Sequence, residues 1–487
     1  MEKRDFAHSR TWHWGASPRD SPLTADRSVS ILWAYCHNRV IPMRVDRLPP
    51  RLPLLMATLI LGTTPAWAEN LIDVYQQAYQ TDPILAQARA GLSAQMQDKP
   101  LARSALLPHV GAGAGVGFNT ADITGFGAEP INRAYLSDNY SVNITQSVFD
   151  GQAWTALKQA DTKIQASAAA LTYTEQQLAL QVAQAYFGVL EAQAQKHVAE
   201  KQKSLLESIY KQTNATLKIG TGDIIAVREA QARVDAAAAD LIKARNGVAI
   251  AQRRLQQLTH HPIGVLDNLG HYEALGPQPD DMNSWVQSAV KDQPLMRQAE
   301  AQLHTAQDQV EYNRRERWPV VNLQGIAQHS LGNPFPGMSI NQAGVTLNLS
   351  VPLYQGGHTS ASVQQAQAQT VASVDHVANV RDEVTLNTQT AFLNLKDSVA
   401  QLRAAKETAA SAKVSLEGTR KGYEVGTRSI IDLLQTATDY IRAEQNYNVA
   451  FYSQIIARIQ LKAASGQINM ADLEAINALL NQSTSRP

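Results

Sequence analysis

The stretch IGTGDIIAVREAQARVD at 219–235 returns as VGTRSIIDLLQTATDYI at 425–441. A long internal repeat constrains a fold more than any single motif, because each copy must build the same supersecondary unit. Further echoes are collinear with it. Thr81-Asp82-Pro83-Ile84-Leu85 matches Asp292-Gln293-Pro294-Leu295-Met296, Leu107-Pro108-His109-Val110 matches Trp318-Pro319-Val320-Val321, and Val148-Phe149-Asp150-Gly151 matches Leu353-Tyr354-Gln355-Gly356. The chain reads as a tandem duplication with copies at 69–261 and 282–487. A linker at 262–281, carrying Pro262, Gly270, Gly276, Pro277 and Pro279, joins them.

Within each copy the apolar period is that of long paired helices. Val227, Val234, Leu241, Val248 and Leu255 recur every seven residues, with Ala230, Ala237, Ala244, Ala251 and Leu258 three further on, which is an a/d heptad. Copy two keeps the register with Leu433, Tyr440, Tyr447, Gln454 and Leu461, and alanine at so many seam positions lets helices approach closely. Before each heptad run lies a longer stretch without proline, Gln152 to Leu217 and His358 to Glu424. At 1.5 Å per residue such a helix is roughly 95 Å long. Gly220 and Gly426 suit the left-handed residue that ends a helix, and Asp223 and Ser429 suit the N-cap of the next. The repeated phrase is thus the tip of a helical hairpin, and two hairpins explain its two appearances.

At the other end of each long helix the period changes to two. Val110, Ala112, Ala114, Val116 and Phe118 alternate with glycines, and Tyr140, Val142, Ile144, Gln146 and Val148 with mostly polar residues. Copy two has Val321, Leu323, Gly325 and Ala327, then Val345, Leu347, Leu349, Val351 and Leu353. Each run has about the 9–11 residues a tilted strand needs to cross a bilayer. Thr120–Asp138 and Ser330–Asn341, rich in Gly, Pro, Asn and Ser, read as exposed loops between strands.

The apolar run Leu52–Gly62 follows Arg44, Arg47 and Arg51 and precedes Ala66-Trp67-Ala68, the form of a secretory signal at 43–68 with cleavage after Ala68. Residues 1–42 lie upstream of a second methionine, Met43, and carry no recognisable pattern; a mis-called start codon is expected there, with a real N-terminal extension as the alternative. Cys36, the only cysteine, falls there, so the exported part is expected to use neither disulfide nor thiol chemistry. Lys and Arg exceed Asp and Glu by 9 to 5 in residues 1–68, leaving 34 against 38 beyond them. That balance gives no reason to expect nucleic-acid binding. No apolar run of 18 residues occurs after Ala68, so a membrane role would have to use strands.

Signals for catalysis are weak. GAGAGVG at 111–117 does not complete GxGxxG, and His260-His261 lacks a third ligand at suitable spacing and fits a helix C-terminus. No GxSxG, HExxH or CxxC occurs, so no enzyme activity, cofactor or metal is expected. Asp432 has two compatible readings: N3 of a capping box begun by Ser429, and, in an oligomer, one carboxylate of an acidic ring that favours cations.

Four strands leave two open edges, which cannot persist in lipid, so several chains must complete one barrel. At this point ENLIDVYQQAYQTDPIL, ARSALLPHVGAGAG, NITQSVFDG, LSVPLYQGG and YEVGTRSIIDLL resemble the TolC family of outer-membrane channel proteins, with the resemblance running from Glu69 to Leu480. It implies a mainly α fold with a membrane β-barrel part: tandemly duplicated coiled-coil hairpins form a periplasmic α-barrel, and four strands per chain contribute to a shared twelve-stranded barrel in a homotrimer. It also implies a passive efflux or type I secretion duct in outer-membrane lipid, partnered by a periplasmic adaptor and an inner-membrane transporter. Adaptor contact would fall on Gly220, Thr221, Gly222, Val425, Gly426 and Thr427.

In that family a Tyr and an Arg on the second hairpin link to an Asp on the first. Tyr423 and Arg428 match, while Ala226 stands where the Asp is expected and Asp223 is the candidate substitute. Of two stacked Asp rings, Asp432 keeps one and Gln435 neutralises the other. The alternative reading is a soluble periplasmic coiled-coil adaptor, which would be expected to carry one hairpin and lipoyl-like β modules.

Overall fold

In the computed structural model the chain divides into two units, Met1–Thr63 and Thr64–Pro487. The structure describes residues 69–124, 131–267, 274–332 and 337–480, all in the second unit. The expectations for 1–42, for the signal at 43–68 and for cleavage at Ala68 lie outside the described residues. The elements are α1 Leu71–Thr81, α2 Pro83–Met96, α3 Asp98–Ser104, β1 His109–Ile123, β2 Ile131–Phe149, α4 Gly151–Lys218 and α5 Ile224–Thr259. The second copy follows as α6 Met282–Asp292, α7 Pro294–Arg314, β3 Val320–Leu331, β4 Ser339–Ser350, α8 His358–Glu424 and α9 Ile430–Ala464, with α10 Met470–Leu480 at the end.

Local chemistry sets these boundaries. Asn70 caps α1 by accepting from the Ile72 and Asp73 N–H groups, and Asp82 caps α2 through Leu85 N–H at 2.7 Å, with Pro83 where a missing donor costs nothing. Copy two replaces Asp82 by Gln293, which makes no cap. Its side-chain amide instead reaches the Ala463 and Ala464 carbonyls at 3.2 and 3.0 Å, tying the start of α7 to the end of α9. Asp150 caps α4 through Ala153 N–H. The matching Gln355 provides no cap, and α8 starts later, from Gly357 at φ 86°.

The four strands form one antiparallel sheet in the order β1-β2-β3-β4, so β1 and β4 each keep an unpaired edge. Two strand expectations need correction. Asn119↔Tyr135 through Ile123↔Ile131 and Ser330↔Ile340 are paired, so the strands continue into what reads as loop. Polar side chains are admissible there because ladder hydrogen bonds do not depend on side-chain polarity. At the other end β4 stops at Ser350, leaving Val351 and Leu353 outside it. Pro352 has no N–H to donate to the ladder.

The two long helices run 68 and 67 residues, about 100 Å each. Both fold back on their partners as the heptads require: Val227, Ala230, Ala237, Leu241 and Leu255 of α5 and Leu433, Ala443, Gln454, Ala457 and Leu461 of α9 are buried. The largest core lies where α4 meets α1, α9 and α10, around Tyr186, Phe187, Leu71, Ile455 and Leu473. Here the linker is structural, for Glu69 bridges Leu266 and donates to Val265 O at 2.8 Å. Helix α10, which periodicity did not delimit, is fastened by Leu71 N–H to Asn477 Oδ1 at 3.0 Å.

Tyr186 is fully buried, with its hydroxyl 3.2 Å from the carbonyls of both Glu69 and Asp267. Burial and then the Asp267 carboxylate push its pKa above the usual phenol range. Tyr186→Phe takes the hydroxyl donor from the buried Asp267 carbonyl, while Glu69 O keeps the Asp267 N–H at 3.3 Å, and is expected to cost about 1–3 kcal/mol; Tyr186→Ala adds a cavity, for about 3–5 kcal/mol. Circular-dichroism melting of the helical signal checks the order, and equal midpoints for Phe and wild type would reject the role of the hydroxyl.

Candidate functional site: hairpin tips and exposed sheet

The two tips share one backbone closure. Gly220 at φ 81° and Gly426 at φ 79° follow α4 and α8. Thr221 N–H reaches back to Thr216 O at 3.1 Å and Thr427 N–H to Gly422 O at 2.8 Å, closing each helix with a left-handed cap. The bulk on the inside of each turn is exchanged between copies. A Cβ on Gly222 would lie 2.6 Å from Leu217 N, whereas in copy two Arg428 takes that place and Gly422 makes the room, its added Cβ meeting Arg428 Cγ at 2.7 Å. Ile219 and Val425 project outward, each 75% exposed.

The returning helices are capped differently. The Asp223 carboxylate accepts from Ile225 N–H at 3.0 Å. Ser429 and Asp432 form the full capping box, Asp432 N–H to Ser429 Oγ and Ser429 N–H to Asp432 Oδ2 both at 3.1 Å. The Ser429 hydrogen bonds, helped by the Arg428 charge, hold the Asp432 carboxyl below its ordinary pKa. Gln435 donates to both carboxylate oxygens of Asp439, at 3.1 and 3.3 Å.

The structure places Tyr423 against the apolar cluster of Leu206, Ile209, Leu433, Leu434 and Ala437 that packs the two hairpins together. Among the described residues no hydrogen bond or ion pair joins Asp223 to Tyr423 or Arg428 within the chain. Sequence reasoning missed two groups. Lys201 Nζ on α4 lies 2.7 Å from Glu444 Oε1 on α9, the ion pair that crosses from one hairpin to the other. Asp439 stands seven residues beyond Asp432, on the same helix face. The heptad count alone could have found Asp439; the Lys201 pairing needs the relative stagger of α4 and α9.

The sheet divides by face. Val110 stands opposite Ile144, Phe118 opposite Leu136, Val321 opposite Leu349 and Leu323 opposite Leu347. On the other face Gly111 meets Asn143, Gly113 meets Ser141, Gln324 meets Thr346 and Gln328 meets Gln342. The apolar face is uncovered, with Val116, Phe118 and Val345 all more than 70% exposed. An apolar outer and polar inner face at period two is the pattern of a transmembrane barrel wall. No helix among the described residues is long and apolar enough to cross a membrane.

A family model described as Outer membrane efflux protein matches residues 74–260 and 285–467, one segment in each copy. The chain belongs to that family. Outer membrane protein TolC of Escherichia coli K12 is 30% identical over 456 residues, spanning 89% of this chain and 90% of that one. The alkaline protease secretion protein AprF of Pseudomonas aeruginosa is 29% identical, over 87% and 90%. Among solved structures the Campylobacter jejuni CmeC outer membrane channel superposes with a TM-score of 0.73 at 16% identity, covering 85% of this chain and 90% of that one. Members of the family are channel proteins, and the mainly helical fold with four antiparallel strands is theirs. The chain is an outer-membrane channel protein of efflux or type I secretion, reaching into the periplasm. The alternative of a soluble periplasmic adaptor is thereby overturned: the match takes in both hairpins and the bilayer-length strands.

Proposed function

We propose that three copies close their sheets edge to edge into a twelve-stranded barrel, continued by a tunnel of six helical hairpins, as the exit duct of a tripartite system. The observation that carries this reading is the pair of free edges on a sheet with an uncovered apolar face. In lipid each unpaired backbone group would cost several kcal/mol, so β4 of one copy must take β1 of the next. A periplasmic adaptor would engage the tips at Gly220, Thr221, Gly222, Val425, Gly426 and Thr427, beneath which an inner-membrane transporter supplies the energy. The domain boundaries follow the duplication: repeats at 69–261 and 282–487 about the 262–281 segment, with the mature chain beginning after Ala68.

The gate is at the tips. Opening moves the α8–α9 hairpin away from α4–α5, so the contacts to be broken are the Leu206–Leu433 cluster and Lys201–Glu444. Tyr423, Arg428 and Asp223 are the tip residues available to link neighbouring hairpins in the closed trimer, and Asp432 supplies the acidic ring. Two measurements test the whole reading: subunit mass in detergent and conductance across a planar bilayer. A trimer that conducts ions supports it. A monodisperse single copy, stable in plain buffer without detergent and unable to conduct, overturns it.

A further inference from the structure

The duplication supplies its own comparison at the foot of the sheet. The chain enters β1 through Arg103-Ser104-Ala105-Leu106-Leu107-Pro108 and β3 through Arg314-Arg315-Glu316-Arg317-Trp318-Pro319. The second approach alone is strongly cationic and aromatic. Trp318 stacks on Phe149 with centroids 6.1 Å apart and planes 8° from parallel, and Trp154 meets Phe149 edge-on at 5.3 Å. The Arg315 guanidinium lies 4.8 Å from the Trp318 ring centre while its Nε donates to Glu311 Oε1 at 2.9 Å. This stack exists because Gly151 opens α4: a Cβ there would come within 2.8 Å of Trp318 Cε3 and 3.3 Å of Arg315 Cδ.

Around this platform the charge is not neutralised. Glu316 faces His358, at 3.6 Å. Arg317 donates to the Ser360 hydroxyl at 2.9 Å, and among the described residues neither Arg314 nor Arg317 has a carboxylate partner. Both are exposed. Phe149 pairs with Val321, so the platform begins where the apolar face of the sheet ends. Trp154 and Trp318, 45% and 41% exposed, are the amphipathic residues favoured at a membrane–water boundary. Guanidinium forks at that depth match a phosphate.

We propose that this platform binds the phosphate of an anionic phospholipid in the periplasmic leaflet. Arg314 and Arg317 hold the headgroup, Arg315 sits as a second layer over Trp318, and the Phe149, Trp154 and Trp318 rings receive the glycerol and upper acyl chains. The inference rests on the barrel reading, which the conductance measurement addresses separately.

The test reconstitutes the full protein in vesicles of phosphatidylcholine with phosphatidylglycerol, extracts it gently, and measures retained lipid by mass spectrometry. Wild type is expected to enrich phosphatidylglycerol over phosphatidylcholine, and Arg314→Gln with Arg317→Gln to lose about fivefold of that enrichment per arginine. Lys at both positions should keep much of it. Unchanged conductance in the Gln pair shows that the channel has assembled. Equal retention of both lipids by wild type, or undiminished enrichment in the Gln pair, overturns the proposal. So does complete displacement by inorganic phosphate, which would mark a free-anion site. If the protein neither conducts nor forms trimers, the barrel reading fails with it.

Discussion

Asp432→Asn is expected to raise the concentration of a trivalent cation needed for half-block of conductance by on the order of tenfold, because one carboxylate per subunit leaves a narrow ring. Asn is the informative replacement. It keeps an acceptor for Ser429 N–H, so the capping geometry survives while the charge goes. Since Asp439 lies on the same face and is held by Gln435, Asp439→Asn in the same chain is expected to remove most of the remaining block. The pH dependence has a definite sign. Within one chain the Ser429 cap holds the folded Asp432 pKa below its ordinary value, which opposes the upward push that like charges in a ring exert on each other. Block, and the share of tip stability owed to the ionised cap, are present above the unfolded pKa and lost as pH falls through the depressed folded one. Identical block in wild type and both variants would reject the ring.

Lys201→Ala is expected to raise the open fraction of the channel by about tenfold, the equivalent of about 1.4 kcal/mol. That lies between the worth of an exposed pair and the cost of leaving a buried charge unpaired. The intermediate figure suits the burial, since Glu444 is 17% exposed and Lys201 47%. Burial and then the Glu444 charge raise the pKa of Tyr440, so its phenol stays a neutral donor beside this carboxylate. The exchange Lys201→Glu with Glu444→Lys should restore closure, whereas Lys201→Glu alone should open the tip further. Single-channel recording separates these outcomes. A swap that fails to rescue would assign the effect to packing in the Leu206–Leu433 cluster.

The parts of this fold that were legible in the sequence are those with a short physical range. A helix seam repeats every seven residues whatever it packs against, and caps such as Gly220, Asp223 and Ser429 act within one turn, so hairpins and tips could be placed without coordinates. Strand extents were less legible, because β1 and β2 continue as a paired ribbon past the apolar stretch, where side chains no longer report the environment. What stayed hidden depends on stagger between distant segments. Lys201 and Glu444 are separated by 243 positions, and Gln293 gave no hint that it would clasp the end of α9. Of the proposed gate residues, Asp223 was legible as a cap from its spacing and as a gate partner through the family resemblance alone.

One consequence concerns the lengths of α4 and α8. Both tips must arrive level, yet each hangs on its own helix, and removing seven residues from one arm retracts that tip by about 10 Å. Beyond the deletion the α4–α9 seam would keep its sevenfold register but face partners one heptad out of step, parting position-specific pairs such as Lys201–Glu444. In the proposed assembly the duplicated body would act as a two-legged gauge between membranes, its reach reset only in matched strides of seven taken by both legs at once.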